Sequence, residues 1–230
     1  MNPKKIDKTE EKAIARALCE SAYPLSKKDL PRAAQIMAAA FDKDPSIRHL
    51  LGGEREGRHD RRYFLTLLKA IYGRCVMLSR ETPADSLLIL FPPRKTSVPT
   101  LRFLLAGGLA LPLFFGGGMF PRSMAYEENC KRVRAKTAAR NAWYCMCFVV
   151  SPERQGKGVG SSLLSPVLGV LDRYRVPLYL ETHRAENVSL YEHFGFALTD
   201  VGRIPRTGIT QYAMQRSPQG TEKGTSASRP

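Results

Sequence analysis

Apolar and polar positions along this chain change period several times, and each change marks an element. From Ala33 to Phe41 the apolar residues run at helical spacing. Asp29 is placed to cap that helix, and Pro31 falls in its first turn, where a missing N–H costs little. Asp44-Pro45 is expected to end it. Arg61–Tyr72 carries Phe64, Leu65, Leu68 and Ile71 along one helical face. Two strand-like runs follow, Arg74–Leu78 and Ser86–Phe91, separated by a turn at Glu81–Asp85. Leu101–Leu113 and the polar amphipathic run Ala125–Ala139 read as helices. Trp143–Val150 is apolar throughout, the pattern of a strand buried on both faces, with Cys145 and Cys147 expected on the same face. A helix to about Asp172, a strand Pro177–Glu181, a short helix Asn187–Phe194 stopped by Gly195, and strands near Phe196–Val201 and Gly208–Met214 complete the pattern.

Mixed strands and helices in this order predict one α/β (α+β) domain over residues 23–216, with a cofactor-binding half at 141–215. Residues 1–22 are expected as a flexible, loosely attached leader, and residues 217–230 as a disordered tail with almost nothing apolar.

Composition narrows the class. The chain has 230 residues, 43% apolar and 25% charged, enough for one sizeable core without staples. Five cysteines without a CxxC pair read as reduced buried thiols in a cytoplasmic protein. Four histidines lack ligand-like spacing, so no metal is expected. The formal net charge of +15 favours anionic partners, yet no nucleic-acid signature accompanies it. Val98–Phe120 has the length of a membrane span, but Arg102, Pro112 and the glycines at 116–118 break it. It is expected instead as a buried helix and turn lining a pocket, with no membrane partner.

The chemistry concentrates after the 143–150 strand. Gln155-Gly156-Lys157-Gly158-Val159-Gly160 lies between a strand and a helix. Glycines there allow several N–H groups to face one anion, and the helix N-terminus adds positive potential. Arg154, Lys157 and Arg184 are candidate phosphate partners, Lys157 first because it lies inside the loop. A P-loop fails because Gly158, not Ser or Thr, follows Lys157. A dinucleotide fingerprint fits poorly, because the spacing is GxGxG and the Ser151-Pro152-Glu153 turn intervenes, although Glu181 stands roughly where a ribose-binding acid would. A third pattern, V-x-P followed by Q-x-x-G-x-G, matches throughout.

That combination (Val150, Pro152, Gln155, Gly156, Gly158, Gly160) resembles motif A of the GCN5-related N-acetyltransferase (GNAT) superfamily. Tyr179-Leu180-Glu181-Thr182, then Asn187 and Tyr191 ahead of Gly195-Phe196, resembles a second segment of that family. Ala40-Phe41-x-x-Asp44-Pro45 and Trp143-Tyr144 resemble the branch similar to puromycin N-acetyltransferase, although Ala142 stands where those relatives often carry His. The resemblance implies a splayed, mixed, mostly antiparallel sheet flanked by helices. It implies acetyl-CoA as cosubstrate, held by Phe148, Val149, Val150, Gln155, Gly156, Lys157, Gly158, Val159, Gly160, Ser161, Asn187 and Tyr191. It further implies direct attack by an amine in a ternary complex.

Tyr191 is expected to protonate the departing thiolate, and Asn187 to cap the helix that carries it. Glu181 is the first candidate for general base and His183 the second, while Asp44 is placed to bind a cationic acceptor. The acceptor is expected to be a small-molecule amine. Acetylation of a protein or peptide, and a non-catalytic CoA-binding module, are the alternatives.

Overall fold

The computed structural model describes residues 6–53, 58–93 and 95–220. Seven strands form one sheet in the order β1-β2-β3-β4-β5-β7-β6. They are β1 (Tyr23–Pro24), β2 (Val76–Ser79), β3 (Ser86–Phe91), β4 (Trp143–Val150), β5 (Leu178–Thr182), β6 (Ala197–Arg203) and β7 (Thr210–Arg216). Every neighbouring pair is antiparallel except β4 and β5.

Helices cover both faces. The first is α1 (Lys8–Ser21), followed by α2 (Leu30–Ala40), α3 (Pro45–Leu51) and α4 (Arg58–Ile71). The middle of the chain forms α5 (Thr100–Leu105), α6 (Pro112–Phe115) and α7 (Met119–Thr137), and then come α8 (Val159–Arg173) and α9 (Glu186–His193). Residues of α2, α3 and α4 share one core with Leu87, Ile89 and Phe91 of β3 and with Leu111, Phe115 and Met119. Residues of α1 and α8 share the other with Leu88, Leu90, Trp143 and Tyr191. All six residues of β3 are buried, which explains its unbroken apolar run.

Several expectations change. The leader is not loose over its described part: Asp7 caps α1 by accepting from the N–H groups of Thr9 and Glu10, and Ile14 and Leu18 are fully buried against the sheet. Its polar letters hid a narrow apolar stripe that only a neighbouring surface makes visible. Of the expected tail, residues 221–230 lie outside the described part, while the Gln219 N–H donates to Asp172.

Asp44-Pro45 starts a helix as well as following one. The Asp44 carboxylate accepts from the N–H groups of Ser46 and Ile47, and Pro45 occupies the first turn of α3. Asp29 stands before α2, but its carboxylate is bonded to Ser26 instead of capping that helix. The 98–120 segment is broken into α5, a short 3-10 turn and α6; Leu111, Phe115 and Met119 are buried, but Leu101, Leu105, Leu109 and Leu113 are exposed.

Cys145 and Cys147 do not share a face. Ile89 pairs with Cys147 but Leu90 pairs with Cys145, leaving Met146 as an extra residue in β4. This bulge reverses the alternation, so Cys145 joins the α1–α8 core and Cys147 the α2–α4 core.

Candidate acetyl-transfer site

The site begins where two parallel strands part. β4 and β5 pair only at Trp143–Leu178, Tyr144–Tyr179 and Cys145–Leu180. From Met146 onward, β4 has no partner on that side. Two observations fix which backbone groups face the gap: Val150 lies opposite Ser86, and the Ser151 N–H donates to Asp85 O at 2.8 Å. In an antiparallel ladder this turns the polar groups of Val149 towards β3, and those of Phe148 and Val150 towards the gap. The Val150 carbonyl accepts from Gln155 Nε2 at 3.0 Å, so the glutamine braces the loop onto the strand end.

The loop then delivers α8 to the mouth of the gap. Gly156 and Gly158 have φ of +72° and +73°, the left-handed region that glycine enters without strain. Gly160 serves a different need. A Cβ there would stand 3.3 Å from the Phe148 ring, so its absence lets α8 seat closely against β4. The first amides of α8, at Val159, Gly160 and Ser161, lie in the turn that lacks intrahelical acceptors. Together these groups place free N–H donors beside an open strand edge, an arrangement chemically able to receive an anion and an extended amide chain. Lys157 Nζ donates to the Glu153 carbonyl at 3.0 Å, and Arg154 pairs with Glu81 at 2.9 Å. Arg184 pairs with Glu186.

Tyr191 occupies the second wall. It is 8% exposed, lies edge-on to Phe196, and feels the Cys145 and Cys147 thiols at the bulge. Burial raises its phenol well above the ordinary tyrosine value, so it stays protonated. Asn187 does not cap α9. Its Nδ2 donates to Thr182 Oγ1 at 3.0 Å, which ties the helix to the end of β5.

On the opposite face lies a polar cluster that sequence reasoning located only in part. Glu181 points into it, its side chain 3% exposed, and Arg134 Nη1 lies 3.4 Å from its carboxylate. Burial pushes the Glu181 carboxyl up to about 7, against the opposing pull of Arg134 and of the Tyr144 and Tyr179 phenols beside it. The Arg134 guanidinium stacks 4.0 Å from the Tyr144 ring centroid and donates to Thr96 O. His183 sits further along, its Nε2 3.5 Å from the Tyr126 hydroxyl. Burial lowers the imidazole's basicity, partly offset by Asp44. Asp44 is itself buried and committed to Ser46 and Ile47.

Arg134, Tyr126 and Tyr144 were missed as site residues. The available signal was the four-residue spacing of Tyr126, Cys130 and Arg134, which puts them on one face of α7. Among the described residues, no group of three or more His, Cys, Asp or Glu side chains is placed to hold a metal ion.

Residues 124–198 match the family described as acetyltransferase (GNAT) domain. The chain is similar to that family over about a third of its length. An uncharacterized N-acetyltransferase of Schizosaccharomyces pombe is 30% identical over 92 residues, which span 39% of this chain and 37% of that protein. A solved structure described as histone acetyltransferase HPA2 and related acetyltransferase, from Corynebacterium glutamicum, matches with a TM-score of 0.59 at 20% identity. That match covers 86% of this chain and 96% of the other. Arylalkylamine N-acetyltransferase 2 from Aedes aegypti matches with a TM-score of 0.52 at 12% identity, over 85% and 97% of the two chains. At these identities the two structures establish the shared fold: a GNAT-like domain built on one mixed sheet.

Proposed function

We propose that this protein transfers the acetyl group of acetyl-CoA to the primary amine of a small molecule, by direct attack in a ternary complex. The observation that carries the reading is the parting of β4 from β5. It opens the polar backbone of Phe148 and Val150 beside the N-terminus of α8, with Tyr191 and Glu181 on opposite sides of the sheet.

In this reading the pantetheine extends β4, and a β4 N–H polarises the acetyl carbonyl and holds the developing oxyanion. The amine nitrogen attacks the carbonyl carbon, the C–S bond breaks, and the thiolate takes the Tyr191 proton. The amine proton passes to Glu181, whose value near 7 suits a base at neutral pH. Gly156, Lys157, Gly158, Val159, Gly160 and Ser161 receive the pyrophosphate. Placement in the cytoplasm, and in the branch similar to puromycin N-acetyltransferase through Ala40–Pro45, belongs to the same proposal. So does a single catalytic domain over residues 23–216.

A small acceptor is favoured because the polar cluster is enclosed: Glu181, Arg134 and Asp44 are buried, leaving little open surface for a polypeptide. The test is a thermal-shift titration with acetyl-CoA, followed by release of free CoA across a panel of amines. Acetyl-CoA is expected to raise the melting temperature, and Tyr191→Phe to lower kcat about tenfold or more while leaving the acetyl-CoA KM nearly unchanged. No shift at millimolar acetyl-CoA sinks the proposal. An unchanged kcat in the Phe variant removes the role of Tyr191. Turnover of basic peptides in preference to small amines replaces the acceptor class.

A further inference from the structure

We propose that the segment Leu101–Leu113 docks the protein on an anionic lipid bilayer, lying in the interface without crossing it. The segment folds back on itself: a Cβ on Gly108 would lie 2.6 Å from the Phe103 carbonyl oxygen. Leu111 and Phe115 anchor it to the core at 2% exposure each. What it turns outward is apolar. Leu101, Leu105, Leu109 and Leu113, spaced every four residues, are exposed by 69%, 75%, 70% and 85%, and Met124 follows at 72%. Among the exposed residues from Thr100 to Ala125, Arg102 is the only charged one. Four exposed leucines within thirteen residues mark this segment as a contact site.

Charge selects the occupant. No Asp or Glu occurs between Asp85 and Glu127, an interval that holds Arg94, Lys95, Arg102 and Arg122. On the neighbouring α4, the Arg62 guanidinium lies 4.4 Å from the Phe114 ring centroid, and Lys69 is exposed. An apolar face with a basic border matches a bilayer whose headgroups are negative. A second copy of this chain is disfavoured, because each copy carries +15. No helix among the described residues is long and apolar enough to span a membrane. The sequence-based expectation of no membrane partner rested on spanning, and a peripheral contact needs no span.

The experiment is co-sedimentation of the full chain with two vesicle types, one of phosphatidylcholine alone and one with about 30 mol% phosphatidylserine. The variant Leu105→Glu/Leu113→Glu alters only exposed positions, and its circular dichroism and melting temperature check the fold. Binding is expected to be about tenfold or more tighter to the phosphatidylserine vesicles, and to fall about tenfold or more in the variant. Three results overturn the proposal. One is no sedimentation with phosphatidylserine. Another is equal binding by the folded variant, which assigns the effect to charge elsewhere. The third is a concentration-dependent dimer in light scattering that the variant abolishes.

Discussion

The two sides of the sheet opening are built from different materials. On the α8 side, the site consists of backbone: the gap-facing polar groups of Phe148 and the N–H of Val150, two left-handed glycines and the first amides of a helix. On the α7 side, the cluster consists of side chains from α7, β4 and β5 and of the Asp44 cap ahead of α3, with Arg134 and Glu181 buried together. A backbone site is set by a short stretch of chain. A side-chain site assembled from remote segments sets its own chemistry, and its charges depend on one another. Removing one member is therefore expected to disturb the α7 side more than a local change disturbs the cradle.

The largest expected effect is at Glu181. Glu181→Gln should lower kcat about 100-fold or more and abolish the rise of rate with pH through about 7. The variant should remain folded. Burial raises this carboxyl from 4.5 to about 7, so stability falls as pH climbs between those values, where the unfolded chain ionises and the folded one keeps its proton, and levels off above about 7; Gln avoids that cost. A Gln variant that keeps both the rate and the pH limb would return the base role to His183 or to water.

Arg134→Met comes next and tests whether the cluster behaves as one unit. Arg134 favours the charged form of Glu181, so its loss should move the pH limb upward by about one unit. Activity near pH 7 then falls about fivefold and recovers in alkali, while acetyl-CoA binding is unchanged. An unmoved limb, measured from kcat against pH, would show that the pair is structural only.

The smallest effect is expected in the cradle. At Gly158 a Cβ meets open space but φ is +73°, so Gly158→Ala adds about 1–2 kcal/mol of backbone strain without a clash. The acetyl-CoA KM should rise by up to about tenfold with kcat nearly unchanged. A collapse of kcat instead would show that the loop positions the reacting atoms as well as the phosphates.

The same contrast explains what was legible in the chain. Strands β3 and β4 appear in the sequence with their observed bounds, because long buried apolar runs leave little freedom. The loop from Gln155 to Gly160 was legible because glycine spacing encodes backbone conformation directly. The β4 bulge was not, since an extra residue leaves no mark in the alternation of a strand buried on both faces. Nor was α1, whose apolar stripe is narrow among charged residues. Asn187 kept its place near the site but changed its task, from capping α9 to tying it to Thr182.

The sequence by itself determined the order of β2 to β7 and the glycine loop, because each depends on residues close together in the chain, and a family resemblance carried by that loop supplied the cosubstrate expected there. Tertiary structure alone decided that Glu181 faces Arg134 and Tyr144, that Cys145 and Cys147 enter different cores, and that four leucines of the 98–120 segment face outward. The reason is physical. Hydrogen bonds along a loop are local, whereas desolvation, ion pairing and burial depend on which distant surfaces meet.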